Sequence, residues 1–234
     1  MLKTKKNKIA VITSISGIKN PLVDPEIKFD EADYFAFVSS YQSSNIWIQK
    51  KILDFTCDIT YSSRRNAKIY KIIPELFLPE YEYYIWIDST HDLIESPIKI
   101  IDTYLKSSDI ALFLHRWRNC IYEEAKTVIN YELDLEKNVT EQINFYKKMG
   151  YPENSGLYEN SVVIRRNTKI IKRMNLLWWE QICKYSSRDQ ISLPYCLDNL
   201  KILPTILPGW ANTDFKTFEQ NKIAPHKRDK NWFV

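Results

Sequence analysis

Apolar runs of strand length alternate along the chain with segments of helical periodicity. The apolar runs are rich in β-branched and aromatic residues and lie at 8–16, 33–39, 81–87, 109–114, 161–165 and 200–206. Helical spacing of apolar residues occurs at 64–77, 97–106, 120–131, 139–149 and 168–184, and a last helix opens at 186–190. Residues 45–53 form a short piece that is either extended or helical. The alternation predicts an α/β fold with a mostly parallel sheet covered by helices on both faces.

The stretch YEYYIWIDSTHDL, at residues 81–93, is the centre of the pattern. Its apolar half predicts a buried strand, and Asp88 follows where that strand ends. Ligands of α/β proteins bind beyond the carboxyl ends of the strands. A carboxylate at such a place can hold a divalent cation or a sugar hydroxyl. A turn capped by Asp88 is the structural alternative, and this stretch alone leaves both open.

The helix at 64–77 precedes that strand and has two different faces. Its apolar stripe predicts contact with a sheet and consists of Ile69, Ile72, Ile73, Leu76 and Phe77. Pro74 must kink or shorten the helix. Arg64, Lys68 and Lys71 lie on the opposite face, which is either a solvated basic surface or a contact for a phosphate near Asp88.

Further polar residues follow or begin predicted elements. His115 and Arg116 come directly after the apolar run at 109–114. Glu124 lies early in the next helix, where an acid also suits the helix dipole. Asp189 lies at the start of the last helix, where a capping role is the ordinary interpretation.

Composition and charge narrow the class of protein. With 234 residues, 44% of them hydrophobic, the chain can fill one core, and we predict one domain over residues 1–234. The net charge of +4 is too small for a nucleic-acid-binding protein, but it fits an anionic ligand or a weak attraction to an acidic membrane surface. The four cysteines lack metal-ligand spacing, which predicts free thiols in a reducing compartment. No apolar run approaches the roughly 20 residues of a membrane span.

Four segments, taken in order, resemble a known family. They are SRRNAKIYKIIPELFLPEYEYYIWID, RNCIYEEA, GYPENSGLYENSVVIRRN and WWEQICKYSSRDQIS. Together they are similar to the glycosyltransferase-like domain of plant and bacterial proteins that was formerly catalogued as a domain of unknown function. The similarity extends over residues 9–226. It implies a GT-A-type fold with a Rossmann-like nucleotide-binding half at 1–117 and an acceptor half at 118–234.

The resemblance also implies roles for particular residues. Asp88 would be the first acid of an Asp-x-Asp motif, but Thr90 occupies the second acidic position and Asp92 is the next acid. The implied Mn²⁺ or Mg²⁺ ligands are Asp88, Asp92 and His226. The implied donor or acceptor contacts are Arg64, Arg65, Lys68, Asp88, His115, Arg116, Glu124 and Arg188. Asp189 and Gln190 would lie by the acceptor, with Asp189 acting as general base in an inverting enzyme or orienting the sugar in a retaining one.

The predicted function is transfer of a sugar from a nucleoside diphosphate sugar, preferably a UDP-sugar, to a glycan or lipid-linked acceptor. The predicted location is the cytoplasm, including the inner membrane surface as a peripheral protein. A non-catalytic module that binds a glycan or a protein is the alternative, and Thr90 favours it. A nucleotidyltransferase would show a glycine-rich phosphate loop near the first strand, and a Ser or Cys hydrolase would show a nucleophile elbow or a Cys/His pair; the sequence has neither.

Overall fold

The computed structural model describes residues 8–16, 21–54, 62–211 and 218–220. The strands are β1 (Ile9–Ile15), β2 (Ala32–Val38), β3 (Ile48–Lys51), β4 (Tyr83–Ile87), β5 (His91–Leu93), β6 (Ile110–Leu114), β7 (Tyr158–Arg166), β8 (Thr205–Leu207) and β9 (Phe218–Gln220). The helices are α1 (Ser62–Ile72), α2 (Pro97–Tyr104), α3 (Ile121–Asn130), α4 (Glu136–Lys148), α5 (Lys169–Lys184) and α6 (Asp189–Asn199). A 3₁₀ turn at Pro74–Leu76 follows α1.

Seven of the described strands form one sheet in the order β3-β2-β1-β4-β7-β6-β8. Strand β7 runs antiparallel to β4 and β6, whereas the other neighbouring pairs are parallel. Strands β5 and β9 form a separate antiparallel pair. The prediction of a mostly parallel sheet flanked by helices is confirmed.

Two apolar clusters cover the two faces of this sheet. Alternate residues of one strand belong to different clusters, so that Tyr84 and Trp86 of β4 lie in one and Ile85 and Ile87 in the other. The first cluster includes residues of α1, α3, α4, α5 and α6, and the second includes residues of α2. Strands buried on both faces therefore explain the near-continuous apolar runs of the sequence.

Several details of the predicted elements differ from the structure. The piece at 45–53 is extended and forms β3, the outermost strand on one side of the sheet. Pro74 ends α1, and the 3₁₀ turn that follows leaves Leu76 exposed although the helical stripe placed it inward. The apolar spacing of 97–106 predicts Ile98 inward, and that of 168–184 predicts Ile170 and Ile171 on the inner side; Ile98 and Ile170 are exposed, whereas Ile100 and Ile171 are buried.

Gly150 follows the end of α4. Gly150 has a φ of 74°, its N–H donates to Lys147 O (3.0 Å), and Tyr151 N donates to Tyr146 O (2.9 Å). This pair of bonds is a Schellman motif, which needs a left-handed residue and favours glycine.

The topology brings chemically active residues to one edge of the sheet. The carboxyl ends of β1, β4 and β6 lie at this edge, and antiparallel β7 begins there. Asp88 follows β4, and His115 follows β6. None of the helices in the described ranges is both long and apolar enough to cross a membrane. Cys120, Cys183 and Cys196 are free thiols as predicted, and Cys57 lies outside the described residues.

Candidate active site

Asp88 presents a partly exposed carboxylate at the end of β4. Its backbone N–H donates to Ser161 O of β7 (2.8 Å), which fixes the residue to the sheet. The indole Nε1–H of Trp86 donates to Asp88 Oδ1 (2.7 Å), and Lys71 Nζ lies 3.8 Å from the same oxygen. The Asp88 side chain nevertheless keeps 44% of its surface exposed. The carboxylate is thus oriented by the protein and open to a ligand.

Lys68 and Lys71 of α1 converge on Asp189 at the start of α6. Lys71 Nζ is 2.7 Å from Asp189 Oδ2, and Lys68 Nζ donates to Asp189 Oδ1. The Lys71 side chain is only 5% exposed. The interpretation of these lysines as a solvated basic face is therefore wrong, because both turn toward a buried carboxylate.

Asp189 does not cap its helix. Arg188 occupies the N-cap position of α6 and makes no side-chain capping bond, while Asp189 is the first helical residue. Its carboxylate is engaged by the two lysines of α1 rather than by the amides of its own first turn. The helix start places the acid, and a neighbouring helix supplies its partners.

Electrostatics keep Asp189 ionised. Burial works to raise the pKa of Asp189, but the charges of Lys68 and Lys71 outweigh it and hold the pKa well below its usual range. Burial lowers the pKa of Lys68 to about 8, against the attraction of Asp189. The charges of Lys71 and Arg188 lower the Lys68 pKa further, which places Arg188 beside the same cluster.

The loop before α6 is held by an acid that the sequence did not single out. Buried Asp134 accepts hydrogen bonds from Ser186 Oγ (2.8 Å), Ser187 N (2.6 Å) and Ser187 Oγ (2.8 Å). These three bonds fix the backbone two residues before Asp189. Asp134 lies between two predicted helices with no local motif, so only its contacts reveal this role.

The two arginines at the start of α1 have different surroundings. Buried Arg65 donates to Ile182 O (3.1 Å) and Tyr185 O (2.9 Å) at the end of α5. Exposed Arg64 donates to Leu133 O. Arg65 thus stabilises the carboxyl end of a helix, where a cation is favourable. Donor contact by Arg64 and Arg65 stays a prediction.

Gln190 lies beside β7 at the same edge. Its side-chain Nε2 is 3.4 Å from Tyr158 O, at the start of β7. This contact joins the first turn of α6 to the sheet one strand away from Asp88. Asp88, Lys68, Lys71, Asp189 and Gln190 therefore occupy one region.

His115 and Glu124 form a neighbouring cluster around Arg118. Glu124 is buried and accepts from Arg118 Nε (2.8 Å), with Arg118 Nη2 at 2.7 Å. His115 Nδ1 accepts from the backbone amides of Trp117 (3.3 Å) and Arg118 (3.1 Å). Burial lowers the pKa of His115 to about 4, so the imidazole is neutral at pH 7. These contacts hold the turn after β6.

Arg116 and two tryptophans form an aromatic surface on this turn. The Arg116 guanidinium lies over the rings of Trp117 (5.4 Å) and Trp210 (5.9 Å). Trp117 is 56% exposed, which is unusual for so large an apolar side chain. Arg116 is a predicted contact, whereas neither tryptophan was predicted; for Trp117, its position next to a cation at the end of a strand was an available signal.

The predicted metal ligands are only partly brought together. Asp92 is buried, and its two carboxylate oxygens accept from the amides of Leu93 (2.9 Å) and Glu26 (2.8 Å). His226 lies outside the described residues. Among the residues that the structure describes, no group of three or more His, Cys, Asp or Glu side chains is placed to hold a metal ion. Asp88 is the predicted ligand with an accessible carboxylate, and metal binding stays a prediction.

Comparison with solved structures concerns the fold. The chain is similar to a solved structure, the apo form of the WbbM bifunctional glycosyltransferase, with a TM-score of 0.50 and 10% sequence identity. The match covers 89% of this chain and 40% of that one. At this identity the likeness shows a shared fold alone.

The family follows from the sequence match. The TOD1/MUCI70, glycosyltransferase-like domain family matches residues 38–228, and the chain belongs to it. A relative, the probable hexosyltransferase MUCI70 of Arabidopsis thaliana, is 28% identical over 156 residues. That match covers 61% of this chain and 26% of the relative, so the chain spans about a quarter of the relative's length. The resemblance found in the four sequence segments is confirmed, and family membership supports a role in glycosyl transfer.

Proposed function

We propose that this chain transfers a sugar from a nucleoside diphosphate sugar, preferably a UDP-sugar, to a glycan or lipid-linked acceptor. The observation that carries the proposal is Lys71, which lies 3.8 Å from Asp88 and 2.7 Å from Asp189 at the ligand-binding edge of the sheet. Cations and carboxylates meet here in a chain of a glycosyltransferase-like family. Such a transfer uses both positive and negative side chains, because opposite charges develop on the diphosphate and on the sugar ring.

The reaction develops charge on both sides of the bond that breaks. The bond between the anomeric carbon and the diphosphate oxygen breaks, and its electron pair stays on the diphosphate. An acceptor oxygen forms the new bond to the anomeric carbon, and its proton passes to the leaving diphosphate or to solvent. Positioned cations stabilise the negative charge of the leaving diphosphate. We assign this role to Lys71, with support from Lys68.

Asp189 supplies negative charge near the anomeric carbon. Its low pKa makes it a poor general base, since an efficient base has a pKa near the operating pH. An ionised carboxylate in a fixed position instead stabilises the positive charge that develops on the sugar ring. We therefore assign Asp189 to charge stabilisation and sugar orientation rather than to proton removal. Gln190, next in the same helical turn, contacts the bound sugars.

The acceptor lies over the aromatic surface of Arg116, Trp117 and Trp210. An exposed indole offers an apolar face to the C–H groups of a sugar ring, and its rigid plane orders few side-chain torsions on binding. The turn that carries this surface lies at the same sheet edge as Asp88, two strands away. Two strand spacings are roughly 10 Å, which leaves room for an acceptor beside the donor. His115 and Glu124 support the surface through Arg118.

Asp88 holds the donor either through a sugar hydroxyl or through a divalent cation on the diphosphate. When bound, Mn²⁺ or Mg²⁺ would neutralise the diphosphate charge, with Asp88 as its protein ligand. A cytoplasmic location at the inner membrane surface would give access to lipid-linked acceptors, and the net charge of +4 favours such a surface.

The proposal is tested by thermal unfolding with UDP, GDP, CDP and ADP, each with and without Mn²⁺. A nucleotide at about 100 times its Kd stabilises a protein by about 2.7 kcal/mol. For a domain of this size, that raises Tm by roughly 5–10 °C. Asp88→Asn should reduce a shift that requires Mn²⁺, whereas a metal-independent shift that persists in Asp88→Asn would favour the hydroxyl role.

Asp109→Asn is the matched control. Asp109 precedes β6 at the opposite edge of the sheet and pairs with Arg166 (3.2 Å), so its variant should retain the full shift. If no nucleotide shifts the wild type, the proposal fails and a non-catalytic glycan- or protein-binding module becomes the better interpretation.

A further inference from the structure

Buried polar atoms without a hydrogen-bond partner in the described chain gather beside Asp88. They belong to strands β1 and β7, which flank β4, and are Ser14 Oγ, Ser161 Oγ and both polar side-chain atoms of Asn160. A buried polar group without a partner costs free energy, and native structures rarely leave one. A group of them at a candidate active site indicates that a ligand supplies the missing bonds.

The sheet register places two of these hydroxyl groups in line with Asp88. Ile12 of β1 pairs with Trp86 of β4, so that Ser14 comes beside Asp88. On the other side, Asp88 N donates to Ser161 O (2.8 Å). Neighbouring strands are spaced by about 4.8 Å, so the row spans roughly 10 Å.

The row lies on the face of the sheet that carries the lysines. Side chains alternate between the faces of a strand, and Ser14 and Asp88 share the face of Ile12 and Trp86. Lys71 belongs to α1, which covers this face, and its Nζ lies 5.6 Å from the centre of the Trp86 ring. The row Ser14, Asp88, Ser161 is thus next to the cation that we assign to the diphosphate.

Asn160 lies where β7 departs from regular pairing. The register with β6 jumps from Leu112 opposite Val163 to Phe113 opposite Glu159, which leaves residues 160–162 without counterparts on β6. Bulges of this kind re-aim side chains and are common beside active sites. Asn160 is 2% exposed, and neither its Oδ1 nor its Nδ2 has a partner in the described chain.

The start of α6 identifies which end of the row is closest to the reaction centre. Gln190 contacts Tyr158 O, two residues before Asn160, and Asp189 is its neighbour in sequence. If Asp189 and Gln190 act on the sugar as in the proposed function, the transferred sugar lies on the β7 side of Asp88 and the nucleoside on the β1 side. Lys71 holds the diphosphate between them.

We propose that Asn160 determines recognition of the donor's sugar, with Ser161 beside it and Ser14 on the nucleoside side. This inference rests on the proposed function. A carboxamide both donates and accepts, which matches the hydroxyl groups of a neutral sugar. The buried and unpartnered state of Asn160 is relieved when those hydroxyls bind. Ser14 makes the corresponding bond to the nucleoside.

The test compares calorimetric Kd values for UDP and UDP-glucose, or for the nucleotide selected by the thermal panel and its glucose conjugate. Asn160→Leu removes the amide at similar volume and should weaken UDP-glucose about 10-fold while UDP changes less than about twofold. Ser14→Ala should weaken UDP and UDP-glucose equally. Asn160→Ser repeats the test with a smaller side chain if the leucine variant does not fold.

Thr205→Val is the matched control. Thr205 Oγ1 is also a buried hydroxyl without a partner in the described chain, but it begins β8 at the opposite edge of the sheet. Its variant should bind both ligands as the wild type does. Unchanged UDP-glucose affinity in folded Asn160 variants, with normal binding by the wild type, overturns this inference alone. A wild type that binds neither ligand overturns the proposed function as well.

Discussion

Lys71 connects two carboxylates that belong to different elements. Asp88 follows a strand and Asp189 begins a helix, and a single ammonium group lies within 4 Å of both, at 3.8 and 2.7 Å. Removing one partner of a buried ion pair commonly costs about 3–5 kcal/mol, because the other charge is left uncompensated. Loss of any one of these charged side chains should therefore lower the free energy of unfolding. This expectation makes individual substitutions informative.

Asp189→Asn should lower the turnover number about 10²-fold or more, because the variant loses a fixed charge at the reaction centre. It should also lower Tm, since Lys68 and Lys71 keep their charges beside a neutral amide. Steady-state kinetics at a saturating donor concentration measures the effect, with Asp109→Asn as the control. Near-normal turnover would remove Asp189 from the chemistry.

Affinity for the nucleotide should fall as pH rises through about 8. Burial lowers the pKa of Lys68 to about 8, so its ammonium loses its proton between pH 7 and pH 9. A neutral amine attracts a diphosphate less strongly than an ammonium does. Lys68→Arg keeps its charge over this range and should bind the nucleotide with little pH dependence. A titration of Kd against pH for both proteins is the measurement, and equal slopes would contradict this role of Lys68.

At the scale of elements, Arg165 joins β7 to the end of α1. The fully buried guanidinium donates to Ile72 O (3.1 Å), to Asn175 Oδ1 (2.7 Å) and to Lys71 O. These bonds satisfy carbonyls at the carboxyl end of α1, where the helix has no further turn to supply donors. Because Lys71 is one of those carbonyl residues, the same contact fixes the backbone from which its side chain reaches Asp88 and Asp189.

Arg165→Met should therefore affect both stability and binding. Three buried acceptors lose their donor, which costs about 3 kcal/mol in the free energy of unfolding and roughly 6–12 °C in Tm. Nucleotide affinity should fall as well, because α1 is no longer held in register with β7. Arg166→Met is the control, since the Arg166 side chain is 39% exposed and pairs with Asp109. If Tm of Arg165→Met equals that of the control, the buried contact is not a structural link.

At the scale of the whole molecule, one sheet is built from both halves of the sequence. Strands β4 and β6 come before residue 117, yet β7, from after it, lies between them. Strand β8 extends the same sheet beyond β6. The candidate site also combines both halves of the sequence, because Lys68, Lys71 and Asp88 come from the first half and Asp189 comes from the second.

Unfolding should consequently be a single transition. Far-UV circular dichroism and tryptophan fluorescence should give the same Tm, as expected when no part of the sheet is stable alone. A fragment of residues 1–117 should not fold, because β4 and β6 would each lack their shared neighbour. Separate transitions for the two probes, or a folded fragment, would show two independent units instead of the predicted single domain.

Local sequence patterns determined the elements and the residues at their ends. Runs of strand length and helical spacing located β1, β2, β4, β6, β7 and the helices, since these patterns reflect burial that repeats along one element. They left β3 as either extended or helical and began the last strand at 200, whereas β8 is Thr205–Leu207. The same patterns placed Asp88 after a strand and Asp189 at a helix start. They assigned Leu76 to a buried face incorrectly, because Pro74 ends α1 and the 3₁₀ turn that follows leaves Leu76 exposed. Ile98 and Ile170 were also assigned to inner faces and are exposed.

Tertiary structure alone decided which of these residues act together. Lys68 and Asp189 are 121 positions apart, and Asp134 is 53 positions from the serine that it holds. Such pairs leave no periodic signal in the sequence, because the partner of each polar residue lies in a different element. Asn160, whose buried amide has no partner among the described residues, likewise lies where the register of β7 with β6 is irregular. The sequence by itself determined the family, the layers and the ends of the strands, whereas folding determined the charge cluster, because electrostatic contacts depend on distance in space and not along the chain.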